Sequence, residues 1–211
     1  MTEREEGLIT VEPAELLPWS ALEAVLASTG ESRRCWCRWW LTTNAEYAAA
    51  TDDDRRAAAR ADHADGHPRG LLARRAGEAV GWVSVAPRAD YVRLPRTRLI
   101  ADGTPDPDLG DPAIWAIVCF AVAPAHRRTG VARALLDAAI AHAAAHGAAR
   151  IEAYPVDTDP AHGRAPSPGD LNTGTLALFA TAGFTEVARP KPHRPIVQRR
   201  LRLPTDDQRA V

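Results

Sequence analysis

The stretch "AIWAIVCFAVAPAHRRTGVARALLDAAIAHAAAHG", residues 113–147, changes character twice. An apolar run leads into a basic turn that ends at Gly130, and an alanine-rich run then ends at Gly147. The first run carries hydrophobic residues on both alternating faces, as a central strand covered on two sides does. The second repeats apolar residues at helical spacing. The stretch therefore predicts a buried strand, a glycine turn and a helix.

The turn between this strand and this helix has the features of an anion site. The first N–H groups of a helix lack intrahelical partners and sit at the positive end of its dipole. Gly130 would let a phosphate approach the main chain, and Arg127 and Arg128 add positive charge. The alternative interpretation is an ordinary glycine turn with two solvated arginines.

Composition narrows the possible partners. The 26 basic and 27 acidic side chains nearly cancel, which argues against nucleic acid and anionic membranes as partners. No apolar run approaches the length of a membrane span, and the amino terminus "MTEREEGLIT" is acidic and polar. Three cysteines, an odd number, suit a reducing compartment. We expect a single cytoplasmic domain.

The remaining patterns alternate between strand and helix, which predicts a mixed α/β fold. A strand is expected over residues 8–13, a helix from Pro18 towards Gly30, and an exposed helix over residues 44–64. A hairpin is expected to turn at Ala76 and Gly77. Further segments are a proline-containing loop over residues 88–112, a strand at "ARIEAYPV", a loop over residues 155–170, a helix within "NTGTLALFATAGF" and a strand at "RPIVQRRLRL".

Two motifs together resemble a known family. The turn reads R-x-x-G-x-A through Arg127, Gly130 and Ala132, and "NTGTLALFATAGF" follows downstream with Asn172 and a Gly-Phe pair at Gly183. This combination resembles the signature of the GNAT superfamily of acyl-CoA-dependent N-acetyltransferases.

The resemblance implies a fold and a division of the chain. The expected fold is a GNAT-like central mixed β-sheet with splayed central strands and helices on both faces. The expected organisation is one domain over residues 1–211. It comprises a helical acceptor-side cap over 1–69, a cofactor-binding core over 70–203 and a tail over 204–211.

The resemblance also implies acetyl-CoA as acyl donor and a set of residues that bind it. Main-chain groups of the central strand would meet the pantetheine, and the basic turn would hold the pyrophosphate. The expected cofactor-binding residues are Phe120, Val122, Arg127, Arg128, Thr129, Gly130, Val131, Ala132, Asn172 and Phe179. Phe179 departs from the family pattern, because many members carry there a tyrosine that protonates the departing thiolate, and a phenyl ring has no proton to give.

Glu152 and Tyr154 are the expected catalytic residues. They stand two apart on a predicted strand and therefore share one face, beside the expected splay. The alternative is an exposed glutamate beside a packing tyrosine. Asp157 is a weaker substitute, and we interpret Cys119 as buried packing in the central strand.

The stretch "SRRCWCRWW" is rich in tryptophan and cysteine. We expect Trp36, Trp39 and Trp40 to wall an acceptor pocket. Cys35 and Cys37 lack a second ligand pair at zinc-binding spacing, so no bound metal is expected. "HAAAH" lacks the glutamate of H-E-x-x-H, so its two histidines do not predict a metal site either.

The function that follows is N-acetyl transfer from acetyl-CoA to a primary amine of a small molecule. Two alternatives stay open: acetylation of a protein or peptide amine, and non-catalytic acyl-CoA binding, which the missing tyrosine at Phe179 permits. Neither nucleic acid nor a membrane is an expected partner, and a homodimer is left open.

Overall fold

The chain folds around one seven-stranded sheet with the strand order β1-β2-β3-β4-β5-β7-β6. The computed structural model describes residues 7–101, 103–106, 108–163 and 165–201. The strands are β1 (Ile9–Pro13), β2 (Gly70–Arg75), β3 (Glu78–Pro87), β4 (Ile114–Val122), β5 (Arg150–Ala153), β6 (Thr185–Lys191) and β7 (Arg194–Arg200). Only β4 and β5 pair in parallel; the other neighbours in the sheet are antiparallel.

Seven α-helices are described. They are α1 (Trp19–Ala27), α2 (Gly30–Cys35), α3 (Asn44–Ala49), α4 (Asp52–Ala64), α5 (Arg98–Ala101), α6 (Val131–Ala145) and α7 (Leu176–Thr181). Helix α6 is the crossover between the parallel strands β4 and β5, as parallel pairing requires. No helix of the described residues is long and apolar enough to cross a membrane.

Helices cover both faces of the sheet. On one face α6 packs across β1 to β4 and buries Leu135 and Leu136 in the largest apolar cluster. Gly81 of β3 makes this contact close, since a Cβ atom there would lie 2.6 Å from Cγ1 of Val131. On the opposite face α1 buries Leu26 against Trp82 of β3. The strong apolar pattern of the central strands follows from this double cover.

One extra residue distorts β4 at its middle. Ser84 of β3 lies opposite Cys119, whereas the next residue of β3, Val85, lies opposite Ile117. Val118 is therefore the additional residue of a β-bulge, a feature that redirects side chains and bends a strand.

The parallel pair β4 and β5 separates at the same level. Their pairing spans Ile114 to Ile117 of β4 and stops there. Beyond β5 the chain reaches Pro155, which has no N–H to donate to a ladder. The N–H of Val156 then donates to the carbonyl of Gly174, 3.0 Å away and outside the sheet. This is the expected splay of the central strands.

The sequence-based fold class is confirmed: a mixed sheet with splayed central strands and helices on both faces. Three details differ. The helix expected over 44–64 is broken into α3 and α4, because Thr43 and Thr51 each form a capping box. Residues 88–112 contain the helix α5 and two 3₁₀ turns, so the expectation of no regular structure was wrong.

The other difference concerns β6. This strand was not predicted, because its residues are mostly exposed and include Pro190. The strand expected over residues 8–13 is β1, which lies at the edge of the sheet. The expected tail over 204–211 lies outside the described residues.

Candidate active site

The basic turn adopts the geometry expected of an anion site. Arg127, Arg128, Thr129 and Gly130 are all exposed ahead of α6. Arg128 and Gly130 both have left-handed backbone, with φ of 61° and 89°. At the start of α6, the first backbone N–H that donates to a preceding carbonyl of the turn is that of Ala134, which donates to the Gly130 carbonyl. The preceding N–H groups are thus available to an anion.

The side chain of Arg75, from β2, stabilises this turn. It donates to the Thr129 hydroxyl at 3.0 Å and to the Thr129 carbonyl at 2.9 Å. The guanidinium of Arg127 lies over the end of β4, with Nε 3.4 Å from the Val122 carbonyl. The turn is therefore fixed at the end of β4, next to the splay. Sequence reasoning missed Arg75, because β2 and the turn are far apart in the chain.

A cavity of about 530 Å³ lies at the splay. Val118 and Cys119 of β4, Tyr154 after β5 and Asn172 form its inner wall. The bulge explains why two consecutive residues of β4 face the same space. The outer wall is mainly aromatic and aliphatic and consists of Trp39, Trp40, Tyr47, Ile100, Pro190, Pro195 and Ile196.

Two of the three predicted tryptophans line this cavity. Trp40 stacks on Tyr154, with ring centroids 6.3 Å apart, and Trp39 is 41% exposed at the rim. Trp36 does not line it. A left-handed turn at Trp36 and Cys37 directs the Trp36 ring into the apolar cluster around Leu26 and Trp82, which we call the second core. There the ring stacks on Trp19. The expectation that Trp36 walls the acceptor pocket is therefore corrected.

Arg93 holds the tryptophan segment in place. It is 3% exposed and donates to the carbonyls of Trp39, Thr42 and Thr43 and to the Asn44 side chain. Its guanidinium also lies 3.8 Å from the centroid of the Trp39 ring. The loop over residues 88–112 thus fixes the rim of the cavity.

Glu152 and Tyr154 are in direct contact, as their shared face predicted. The Tyr154 hydroxyl donates to Glu152 Oε1 over 2.5 Å. Tyr154 lines the cavity, whereas Glu152 is 0% exposed and lies behind it. Burial raises the pKa of Tyr154 well above its usual value, and the charge of Glu152 adds to this effect.

Three polar side chains surround the Glu152 carboxylate. Thr104 and Gln198 donate to its Oε2 at 2.8 and 2.7 Å, and the fully buried guanidinium of Arg88 lies 3.5 Å from its Oε1. A buried carboxylate with this set of partners is held rigidly. Glu152 is thus placed to orient Tyr154, and it has no surface in the cavity.

The other predicted residues differ in whether they face the cavity or are buried behind it. Asn172 faces the cavity, in a 3₁₀ turn that packs on β4. Phe179 is 0% exposed and packs edge-on against Phe120 and Phe184, so it supports Phe120 and presents no surface of its own. Val131 is buried at the start of α6.

The charges at the cavity are few. Among the described residues that line it, Glu31 is the only one with a carboxylate, while Arg34 and Arg194 bring positive charge. Arg194 forms an ion pair with Asp170. In the same described residues, no group of three or more histidine, cysteine or acidic side chains is arranged to hold a metal ion.

The sequence and the fold were compared with those of known proteins. A model of the acetyltransferase (GNAT) family matches residues 32–165, which include the tryptophan segment, β4, the basic turn and Tyr154. The downstream Asn172 and Gly-Phe motif lies beyond the matched range and stays a prediction. No curated protein sequence matches the chain.

Several solved structures share the fold. An N-acetyltransferase from Staphylococcus aureus Mu50 has a TM-score of 0.53 at 15% identity, over 92% of this chain and 99% of that one. YncA from Salmonella typhimurium, solved with its cofactor acetyl-CoA, has a TM-score of 0.53 at 17% identity, covering 92% and 94%. A ribosomal-protein-alanine N-acetyltransferase from Brucella melitensis has a TM-score of 0.51 at 20% identity, covering 92% and 99%.

The buried network around Glu152 makes a testable prediction about stability. Glu152→Gln removes the charge opposite the buried Arg88, so the free energy of unfolding should fall by about 3 kcal/mol or more. Glu186→Gln is the matched control, because it breaks the half-exposed pair with Arg189 and should cost about 1 kcal/mol or less. Urea unfolding followed by circular dichroism measures both. Equal losses would contradict the buried-charge account.

Proposed function

The chain belongs to the acetyltransferase (GNAT) family, and from this membership we propose that it transfers the acetyl group of acetyl-CoA to a primary amine of a small molecule. The cavity of about 530 Å³ carries the proposal, because its inner wall lies where β4 and β5 separate. A pocket of this volume suits a small molecule. The three free cysteines agree with a cytoplasmic location, and a homodimer stays a prediction.

The residues around the splay fit the donor. The basic turn offers backbone N–H groups and two arginines to a pyrophosphate, and a Cβ on Gly130 would meet no atom within 4 Å, so the space above it is open. Residues 118–122 of β4 lie beyond the pairing with β5, which leaves their main chain accessible from the splay. Acetyl-CoA bound there supplies an acetyl thioester.

The lining of the cavity indicates the acceptor class. Stacked and edge-on rings at Trp39, Trp40 and Tyr47 suit a flat apolar body. Arg34 opposes a polycation, the charge of Arg194 is balanced by Asp170, and Glu31 alone among the described lining residues would attract a polycation. We therefore propose an acceptor with one amine on an aromatic or aliphatic body.

Tyr154 and Glu152 provide a route for the amine proton. The Tyr154 proton is directed at Glu152, so its oxygen can accept a hydrogen bond from an amine in the cavity. The raised pKa of Tyr154 disfavours a free phenolate. The two proton transfers should therefore be concerted: the amine gives its proton to the Tyr154 oxygen while the phenolic proton moves to Glu152. Phe179 contributes no proton and supports the site by packing alone.

In this proposal, the role of the family's tyrosine at the position of Phe179 is taken by Tyr154, which follows β5. The two positions lie on different elements, Phe179 buried on α7 and Tyr154 on the cavity wall after β5. Glu152 acts through Tyr154 and is a positioning residue in this scheme, with a further role as the final proton acceptor.

Replacement of Gly130 tests the donor site. Gly130→Val adds a branched side chain where the pyrophosphate would approach, and the Kd for acetyl-CoA should rise at least about tenfold, or ~1.4 kcal/mol. Gly147→Val is the matched control, because Gly147 follows the other end of α6, has φ of 81° and is equally open. Calorimetric titration measures both. Equal affinities in the two variants would show that the turn does not bind the donor.

A panel of amines tests the acceptor class. With acetyl-CoA as donor, kcat/KM should be higher for arylalkylamines than for polyamines, because the cavity is apolar and carries little negative charge. Release of free CoA thiol, followed by a colorimetric reagent, measures turnover. Higher activity on peptide amines would favour the protein-modifying alternative, and binding of acetyl-CoA without turnover on any amine would favour the non-catalytic one.

Replacement of Tyr154 tests the proton route. Tyr154→Phe keeps the ring that stacks on Trp40 and removes the hydroxyl, so kcat should fall by a factor on the order of 10² to 10⁴ while the Kd for acetyl-CoA stays within about twofold. Tyr91→Phe is the control, because it removes a buried hydroxyl that bonds to Ser84 outside the cavity lining. If both variants kept the parent kcat, the proton would leave by another route.

A further inference from the structure

All three cysteines of the chain line the acceptor cavity. Cys35 and Cys37 come from the end of α2 and the turn after it, and Cys119 comes from β4 at the bulge. All three are free thiols. Cys37 and Cys119 are 82 positions apart in the sequence, so the fold alone brings them to one wall. The proposed transfer reaction uses none of these thiols.

Cys37 lies over the part of the sheet that carries Cys119. The indole N–H of Trp82 donates to the Cys37 sulfur over 2.9 Å. Trp82 and Ser84 are neighbours on one face of β3, and their partners on β4 are Ala121 and Cys119. Because paired residues share a face, the side chains of Trp82 and Cys119 project from the same side of the sheet.

The Cys119 thiol lies on the cavity wall that also carries Cys37, with its sulfur 3.8 Å from the Phe120 carbonyl. Hydrogen bonding with Cys37, followed by burial, raises the pKa of Cys119 well above its usual value. Cys35 is held elsewhere, beside the hydroxyl of Tyr47, which hydrogen-bonds with it. The structure therefore separates the three thiols into a facing pair and a single residue.

The backbone of the cap segment directs Cys37 towards β4. Trp36 and Cys37 have left-handed φ of 49° and 56°, an unfavourable conformation for residues with side chains. The Trp36 ring, 5% exposed in the second core, and the Cys37 bond with Trp82 hold this turn. The strained turn places consecutive side chains in two different environments, one in the core and one in the cavity.

We propose that Cys37 and Cys119 are an oxidation site, at which a peroxide converts the two thiols into a disulfide that joins the cap to β4. The Cys37 sulfur attacks a peroxide oxygen, the O–O bond breaks, and a sulfenic acid and one water form. The Cys119 sulfur then attacks the Cys37 sulfur and expels a second water. Two thiols and one hydrogen peroxide thus give one disulfide and two waters, and both thiol protons leave in water.

Cys37 is assigned the first attack because its sulfur lines the cavity and already accepts the Trp82 indole N–H, whereas the Cys119 thiol is the more deeply buried of the two. Cys119 gives up its proton in the second step, to the water that leaves the sulfenic acid. The disulfide would cross the cavity wall next to Val118 and Tyr154, where the acceptor amine is proposed to bind. Oxidation should therefore block acceptor binding. This last consequence rests on the proposed function, whereas disulfide formation does not.

The test treats the reduced full-length chain with hydrogen peroxide, blocks the remaining thiols with N-ethylmaleimide, and maps disulfides by mass spectrometry without reduction. The parent should keep one alkylated cysteine, Cys35, and show a cross-link between the peptides that carry residues 37 and 119. Cys35→Ser is the matched control and should form the same cross-link. Cys37→Ser and Cys119→Ser should lose it, and Cys119→Ala replaces the latter if the serine variant does not fold.

Activity is a separate readout. In the parent, peroxide should abolish acetyl transfer in step with the cross-link, and dithiothreitol should restore it. Three alkylatable thiols after peroxide, a link between Cys35 and Cys37, or a cross-link that survives in Cys37→Ser would each overturn the oxidation site. A cross-link that forms without any effect on transfer would leave the site standing and contradict its position in the acceptor cavity.

Discussion

The break in hydrogen bonding between β4 and β5 is the constraint on which the rest of the structure depends. Pairing stops at Ile117, where Val118 adds a residue to β4, and Pro155 cannot continue the ladder from the other side. An open strand edge inside a sheet leaves backbone groups that need partners. The basic turn, the cavity and the 3₁₀ turn over residues 170–173 are all arranged around this edge. A ligand bound there would satisfy groups that the sheet itself leaves open.

Buried charge supports the splay from behind. Glu152 is the penultimate residue of β5, and its carboxylate takes hydrogen bonds from Thr104 and Gln198 while it faces Arg88. The partners come from the loop after β3 and from β7, so the network ties the strand end to its neighbours on both sides. Such a network is favourable only when its members are satisfied together. The rigid carboxylate in turn fixes the direction of the Tyr154 hydroxyl.

The parts of the fold that local sequence encodes were predictable, and the parts that depend on distant contacts were not. β4, the turn at Gly130 and α6 carry strong local signals and lie where the pattern placed them. The cavity wall is assembled from segments near residues 31–47, 97–100 and 190–196, which no local pattern connects. The direction of Trp36 depends on a left-handed turn without glycine, so nothing in the sequence distinguished it from Trp39. The burial of Glu152 depends on Arg88 and Gln198, both more than 40 residues away.

The packing around Phe179 explains why phenylalanine suits this position, at which the family resemblance predicts a tyrosine. Its ring is fully buried, edge-on to Phe120 and Phe184, and a Cβ on Gly174 would lie only 2.8 Å from it. A hydroxyl added to a ring in this aromatic cluster would need a hydrogen-bond partner, and a buried hydroxyl without one is costly. The close packing of the rings therefore favours phenylalanine at this position. In the proposed function the phenolic group comes instead from Tyr154, whose hydroxyl already has a buried partner and whose ring lines the cavity. In the proposed function, the buried ring of Phe179 and the rigid support of Tyr154 both follow from how the two walls of the splay are packed.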